Sequence, residues 1–383
     1  MNSTLPPAPR QMNAGLKTIL CAALAPWLLT GPAGACSFVD VQATDGTVAI
    51  GRSIEWSFPM GYTFMIIPRG RAFTGSYPAD KVAPGFKGTT WTSKYAYAGV
   101  GVAVQAGLDS GQNEAGLNME GLNLPGFTEF QTVTPESKAV IALSDLGDWL
   151  LGNFATVSEV RDALPKCTVW TPAVSSEGSA SIHIVVTDRT GAGLVIEYVK
   201  GKLNLHDNVT HSFANSPPYD WHLANLRNYM TLTSKDTAHV SMNGYTLDQL
   251  STGDGLTGLP GDFKSASRFV KLSLLRSFAA PVANSAEACS LAGHIINTVD
   301  IPMGAVNSGD YQGKPLLETA QIVFVKDLTH NKLFVADYAH RLNYVFIDLN
   351  ALFALNKPVG PVLFSKVLDQ PPINVTEQIL QAK

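Results

Sequence analysis

Cys36-Ser37-Phe38-Val39-Asp40-Val41, then Val48-Ala49-Ile50-Gly51-Arg52-Ser53-Ile54-Glu55-Trp56, flank the turn Thr44-Asp45-Gly46. Apolar runs bounded by an Asp-Gly turn predict a hairpin of Ser37 to Val41 with Val48 to Trp56, and Cys36 begins an edge of its sheet. Tyr95 to Gln105 is a further apolar strand. Helical spacing follows over Leu143 to Leu151 and Val157 to Leu164, with Ser144 and Thr156 as caps. Ile182 to Thr187, Leu194 to Val199 and Leu203 to Asn208 alternate as an antiparallel meander joined at Gly191 and Lys200-Gly201. Helices over Ser265 to Phe278 and Ser285 to Ile296 precede strands over Thr319 to Asp327, Lys332 to Tyr338 and Asn343 to Asp348. Grouped rather than alternating elements predict an α+β fold of antiparallel sheets covered by helices. No repeat or long linker divides residues 36–383, which are expected to form one domain.

The chain has 383 residues, 45% of them hydrophobic and 15% charged, with a formal net charge of −4. That supports a substantial core. Lys and Arg are scattered, so the basic footprint of a nucleic-acid binder is missing.

Residues 1–35 have the layout of a secretory signal. Arg10 and Lys17 precede the apolar run Thr18 to Leu29, and Gly31-Pro32-Ala33-Gly34-Ala35 ends in the small-x-small pattern that signal peptidase reads. No later segment has the apolar length to span a bilayer. The expected mature protein is exported, periplasmic or secreted, free of the membrane, and begins at Cys36. A cysteine there has three readings: a remnant of processing, a lipidated anchor, or an N-terminal nucleophile. Ala33 stands where a lipoprotein signal normally carries Leu, which weighs against the anchor. Cys21 leaves with the signal, so Cys36, Cys167 and Cys289 remain, an odd number for an oxidising compartment. Cys167 and Cys289 are either a disulfide or two structural thiols.

Signatures of zinc, clusters and nucleotides are absent from the sequence: it has no His-Glu-x-x-His, no Cys-x-x-Cys and no phosphate-binding Gly-x-x-x-x-Gly-Lys loop. No metal or cofactor is expected. Gly99-x-Gly101 lies within a strand, and His183, His206, His211 and His222 lack metal-site spacing.

An N-terminal cysteine carries most of an amide-hydrolysing apparatus. Its α-amine, with a pKa of about 7.7–8.0, can take the thiol proton and later protonate the leaving amine. A guanidinium favours the thiolate, whose unperturbed pKa is about 8.5, and Arg52 lies across the hairpin. An oxyanion still needs hydrogen-bond donors.

Five blocks, in order, resemble one family: Cys36-Ser37-Phe38; Gly51-Arg52-Ser53-Ile54-Glu55-Trp56; Asn113-Glu114-Ala115-Gly116-Leu117 with Gly121-Leu122-Asn123-Leu124-Pro125-Gly126; Asn215-Ser216-Pro217-Pro218-Tyr219-Asp220-Trp221-His222-Leu223; and Ser267-Arg268-Phe269. Together they resemble the choloylglycine hydrolases, which comprise bile salt hydrolases and penicillin V acylases among the N-terminal nucleophile hydrolases. The resemblance implies a four-layer αββα sandwich and a homotetramer. It also makes Cys36 the nucleophile, Arg52 its electrostatic partner, and Asn215 with Asn123 the oxyanion hole. Arg268 becomes the late arginine near the nucleophile; otherwise it would pair with Asp262 on an exposed helix end. Glu55 stands where the family usually has Asp, with one methylene more. Gly121 and Gly126 suit a tight loop around Asn123.

Trp56, Phe58, Met60, Tyr62 and Trp91 are candidates for an apolar acyl pocket, although aromatics on strands equally serve as core. By resemblance, the partner is a small-molecule amide joining an apolar acyl group to a small polar amine: a conjugated bile salt, penicillin V or an N-acyl homoserine lactone. The alternative is a lipid-anchored extracytoplasmic binding protein, acylated at Cys36 and without catalytic activity.

Overall fold

The computed structural model describes residues 34–102, 107–172, 181–236, 238–249 and 251–381. The expected signal, from Arg10 through Ala33, lies outside the described residues, as does the end of the expected Tyr95 to Gln105 strand.

The opening hairpin forms as its pattern predicts. Cys36–Gln42 pairs antiparallel with Val48–Trp56, and Gly46 takes the left-handed conformation (φ 89°) that the turn requires. Around it a seven-stranded sheet runs in the order Ser212–Ala214, Cys36–Gln42, Val48–Trp56, Lys314–Asp327, Lys332–Asp337, Val345–Asp348, with Val306–Tyr311 also on Lys314–Asp327. Cys36–Gln42 is therefore an inner strand, not an edge. The three-residue strand Ser212–Ala214 covers it, a partner too short to be legible from alternation.

The second sheet has eight strands. Its order is Lys202–Asp207, Gly193–Val199, Ile182–Thr187, Asn118–Asn123, Ser110–Asn113, Tyr97–Val102, Tyr62–Ile67, Val359–Leu363. Both sheets are antiparallel throughout. The expected meander forms one end of this sheet. Asn118–Asn123 is its central member, so Gly121 and Asn123 lie on a strand where a tight loop was expected; only Gly126 has a positive φ.

Helices close both outer faces. Ser265–Phe278 and Ser285–Asn297 pack on the first sheet, and Leu143–Asn153 and Val157–Ala163 on the second. Two glycines permit close approach. A Cβ on Gly51 would stand 2.8 Å from the Ala292 carbonyl oxygen, and one on Gly111 2.4 Å from Leu151 Cδ1. Thr156 caps its helix in a full capping box with Glu159. Ser144 is no cap, because it lies inside Leu143–Asn153, whose N-cap position is taken by Ala142.

Apolar residues divide into three cores. One lies between the sheets (Phe38, Ile50, Phe64, Phe213, Phe324), one under the Leu143–Asn153 helix (Leu146, Trp149, Ile184), and one under Ser285–Asn297 (Val39, Ala292, Val325). Helix, sheet, sheet, helix is the expected αββα sandwich. Cys167 belongs to the second core and Cys289 packs against the third, on opposite sides of the molecule, so both are free thiols and the disulfide is excluded. Among the described residues no helix is long and apolar enough to cross a membrane, and no cluster of His, Cys, Asp or Glu could hold a metal ion.

Candidate active site

Cys36 sits at the start of its strand, buried in the core between the sheets. The register pairs it with Ile54, while Arg52 lies opposite Phe38, so the guanidinium reaches the thiol diagonally along one face of the hairpin. There its charge favours the Cys36 thiolate. Three contacts fix the guanidinium: Nε donates to Glu120 Oε2 at 3.2 Å, Nη1 to the Ser53 carbonyl at 2.5 Å, and Nη2 to the Gly121 carbonyl at 2.6 Å. Burial opposes the charge on Arg52, but Cys36, Asp109 and Glu120 outweigh it and hold its pKa above the ordinary value.

Glu120 also takes Lys326. Lys326 Nζ donates to Glu120 Oε1 at 2.6 Å, to Ser110 Oγ at 2.8 Å and to Asn118 Oδ1 at 2.8 Å. Arg52 and Lys326 come from one sheet; Glu120, Ser110 and Asn118 come from the other. The cluster is thus a charged rivet through the apolar layer, with each member held by others.

On the opposite side of Cys36 stand Asn215 and Arg268. Asn215 Oδ1 accepts from the Cys36 backbone N–H at 2.5 Å and from Arg268 Nη2 at 2.8 Å, and its Nδ2 donates to the Asn123 carbonyl at 2.9 Å. Arg268 Nη1 donates to the Cys36 carbonyl and to Ser37 Oγ, and Nε to the Phe263 carbonyl. Arg268 is therefore no surface partner of Asp262, which instead accepts from Ser267 Oγ and the Lys264 N–H. His222 Nε2 lies 2.8 Å from the Asn215 carbonyl oxygen. Burial pushes the His222 pKa down to about 4, so the ring is neutral and donates there, anchoring the segment that carries Asn215.

Glu55 is fully buried, and neither carboxylate oxygen has a hydrogen-bond partner among the described residues. Its backbone N–H donates to the Ala35 carbonyl at 2.8 Å, so it adjoins the Ala35–Cys36 peptide. Burial pushes its carboxyl up to about 7, against the pull of Arg268. Burial likewise pushes the Cys36 thiol up to about 11, with Arg52 pulling down and Glu55 and Asp109 pushing up. With Ala35 still attached, the sulfur is held as a thiol at neutral pH.

The raised Glu55 value carries a pH prediction. The folded chain holds this proton up to about pH 7 while the unfolded chain releases it near 4.5, so between those values the cost of ionising Glu55 grows as pH rises and is complete above 7. In the chain still joined through Ala35, Glu55→Gln should add about 3 kcal/mol at pH 8 and about nothing at pH 4.5. Urea unfolding across that range checks it; a difference independent of pH would refute it.

A small pocket opens beside the sulfur, with Ile54, Trp56, Met60, Tyr62, Asp109 and Asn123 in its wall. Trp56, Met60 and Tyr62 thus line the site as expected. Phe58 supports it from behind, edge-on to Trp56 at 5.8 Å between centroids. Trp91 does not belong to it. It stacks on Phe73 in the core under the Leu143–Asn153 helix, across the second sheet, because its strand pairs only with Ala72–Thr74. Sequence reasoning missed Asp109, Glu120 and Lys326. For the last two there was a signal: a lone charge inside an apolar strand, Met119-Glu120-Gly121-Leu122 and Val325-Lys326.

Residues 36–322 match the linear amide C–N hydrolases of the choloylglycine hydrolase family, and the chain belongs to that family. The bile salt hydrolase/transferase of Clostridium perfringens is 30% identical over 278 residues, covering 71% of this chain and 81% of that protein. A penicillin V acylase of Pectobacterium atrosepticum is 27% identical over 274 residues, covering 68% and 65%. A crystal structure of a variant of the conjugated bile acid hydrolase from Clostridium perfringens superimposes with a TM-score of 0.73 at 27% identity, over 88% of this chain and 100% of that one. The fold is the αββα sandwich of the N-terminal nucleophile hydrolases, and the protein is a linear amide hydrolase.

Proposed function

We infer that the protein is a cysteine amidase, exported and cut after Ala35, that cleaves amides joining an apolar acyl group to a small polar amine. The observation that supports it best is the convergence of Arg52, Asn215 and Arg268 on the atoms of Cys36. Release of Ala35 turns the Cys36 nitrogen into a free amine beside the unpartnered Glu55, which then gains a cationic partner. That amine takes the thiol proton, and the sulfur, favoured as thiolate by Arg52, attacks the substrate carbonyl carbon. The carbonyl oxygen becomes an oxyanion held by the Asn215 side-chain amide and the Asn123 backbone N–H. Collapse expels the amine, which leaves with the proton held at the N-terminus, and forms a thioester. Water, deprotonated by the α-amine, cleaves the thioester and restores the thiol.

Conjugated bile salts, penicillin V and N-acyl homoserine lactones share the required shape, and an exported enzyme meets such amides outside the cytoplasm. A homotetramer is the proposed assembly, by likeness to the family. The test is product release from glycocholate, taurocholate, penicillin V and acyl homoserine lactones by protein whose intact mass begins at unmodified Cys36. Turnover of any of them that vanishes on alkylating Cys36 supports this function. A diacylglyceryl adduct on Cys36, or silence across the panel, overturns it.

A further inference from the structure

Among the described residues, Asp109 is the one acidic side chain in the wall of the Cys36 pocket. Its side chain retains 23% exposure, it makes no side-chain hydrogen bond among the described residues, and its nearest charged contact is Arg52 Nη2 at 3.8 Å, beyond hydrogen-bond length. Arg52 does not depend on it, being bonded to Glu120, Ser53 and Gly121. A carboxylate largely withdrawn from water and still lacking donors is costly unless something brings one.

Its position says where that donor comes from. A second pocket, on the far side of Asp109, is walled by Leu108, Met119, Leu143 and Ile184, and the two share Val102, Asp109, Gly121 and Ile182. Leu108, Met119, Leu143 and Ile184 belong to the core across the second sheet, so an acyl chain bonded at Cys36 meets Asp109 within the first pocket, near its carbonyl. Arg52 and Lys326 already balance the charges of Asp109 and Glu120, so a neutral hydroxyl supplies the missing donor without adding a third positive charge.

Resting on the amidase reading above, we propose that Asp109 is a specificity-determining residue that accepts a hydrogen bond from a hydroxyl close to the carbonyl of a long acyl chain. A keto oxygen at the same carbon brings only lone pairs to the carboxylate and is disfavoured. Around Asp109 the charged and titratable groups are Arg52, Glu120, Lys326, Cys36 and Tyr62. Burial pushes the Asp109 carboxyl up to about 6, so below that pH it becomes a donor and the discrimination narrows.

The experiment compares kcat/KM for dodecanoyl, 3-hydroxydodecanoyl and 3-oxododecanoyl homoserine lactone. Ratios between substrates cancel the titration of the thiol and the amine. At pH 8 the 3-hydroxy amide should exceed the 3-oxo amide by about tenfold or more, with the unsubstituted chain between them. The ratio should shrink at pH 5, and Asp109→Asn, whose amide both donates and accepts, should bring it within about twofold at both pH values. An equal ratio in wild type and variant, or no preference in wild type, overturns the proposal. If no substrate turns over, the amidase reading fails and binding decides the proposal separately. Cys36→Ala must then bind the 3-hydroxy compound more tightly than the 3-oxo, and Cys36→Ala/Asp109→Asn must not; equal or absent binding overturns it.

Discussion

Cys36→Ser should lower amide hydrolysis by at least about a thousandfold while leaving the fold intact. The two side chains differ by one atom, and the site holds Cys36 mainly through its backbone: its N–H donates to Asn215 and its carbonyl accepts from Arg268. Neither contact depends on the sulfur. What changes is the proton. A thiol ionises near pH 8.5 and can be drawn lower by Arg52, within reach of an α-amine titrating near 8, whereas a serine hydroxyl lies far beyond it. Product release and urea unfolding, measured side by side, separate chemistry from stability. Turnover at the wild-type level would remove Cys36 from the mechanism, and a fall in stability matching the fall in rate would assign the cysteine a structural role.

Arg52→Met should be the most destabilising substitution in the site, by about 3–5 kcal/mol, and should also slow the reaction. Methionine replaces the volume but not the charge. Glu120 and Asp109 would then face Lys326 alone, the Ser53 and Gly121 carbonyls would lose their donor, and one negative charge would stand uncompensated between the sheets. The same loss removes the group that lowers the Cys36 thiol, so alkylation of Cys36 at pH 7 should slow as well. Arg52→Lys sharpens the test. It keeps the charge but not the fork that reaches Glu120, Ser53 and Gly121 together, so it should recover part of the alkylation rate and little of the stability. Unfolding free energy unchanged in Arg52→Met would mean that Glu120 is neutralised by Lys326 alone.

Cys36 was legible as the residue after the expected cleavage site, whereas Arg52, Asn123, Asn215 and Arg268 were legible only through the family resemblance of the blocks that carry them. The fold brings them together: strands carry Cys36, Arg52 and Asn123, a turn carries Asn215, and a helix brings Arg268 to within one hydrogen bond of the cysteine backbone. Glu55 was legible as a residue but not as a state. Its lack of partners and its proton at neutral pH come from burial, which no local pattern encodes. Trp91 shows the converse failure: its side chain has the right chemistry for the pocket, and only strand pairing puts it on the wrong side of a sheet.

The sequence by itself determined the type of several elements, because period and turn chemistry are local: the Thr44-Asp45-Gly46 hairpin, the Ile182 to Asn208 meander and the Ser265–Phe278 and Ser285–Asn297 helices all lie within short windows. Only the tertiary structure decided which residues face one another across the two sheets. Arg52 and Glu120 are 68 residues apart, and Glu120 and Lys326 are 206 apart. Long-range strand pairing sets those meetings, and with them the charge around Cys36 and the place of Asp109 in its pocket.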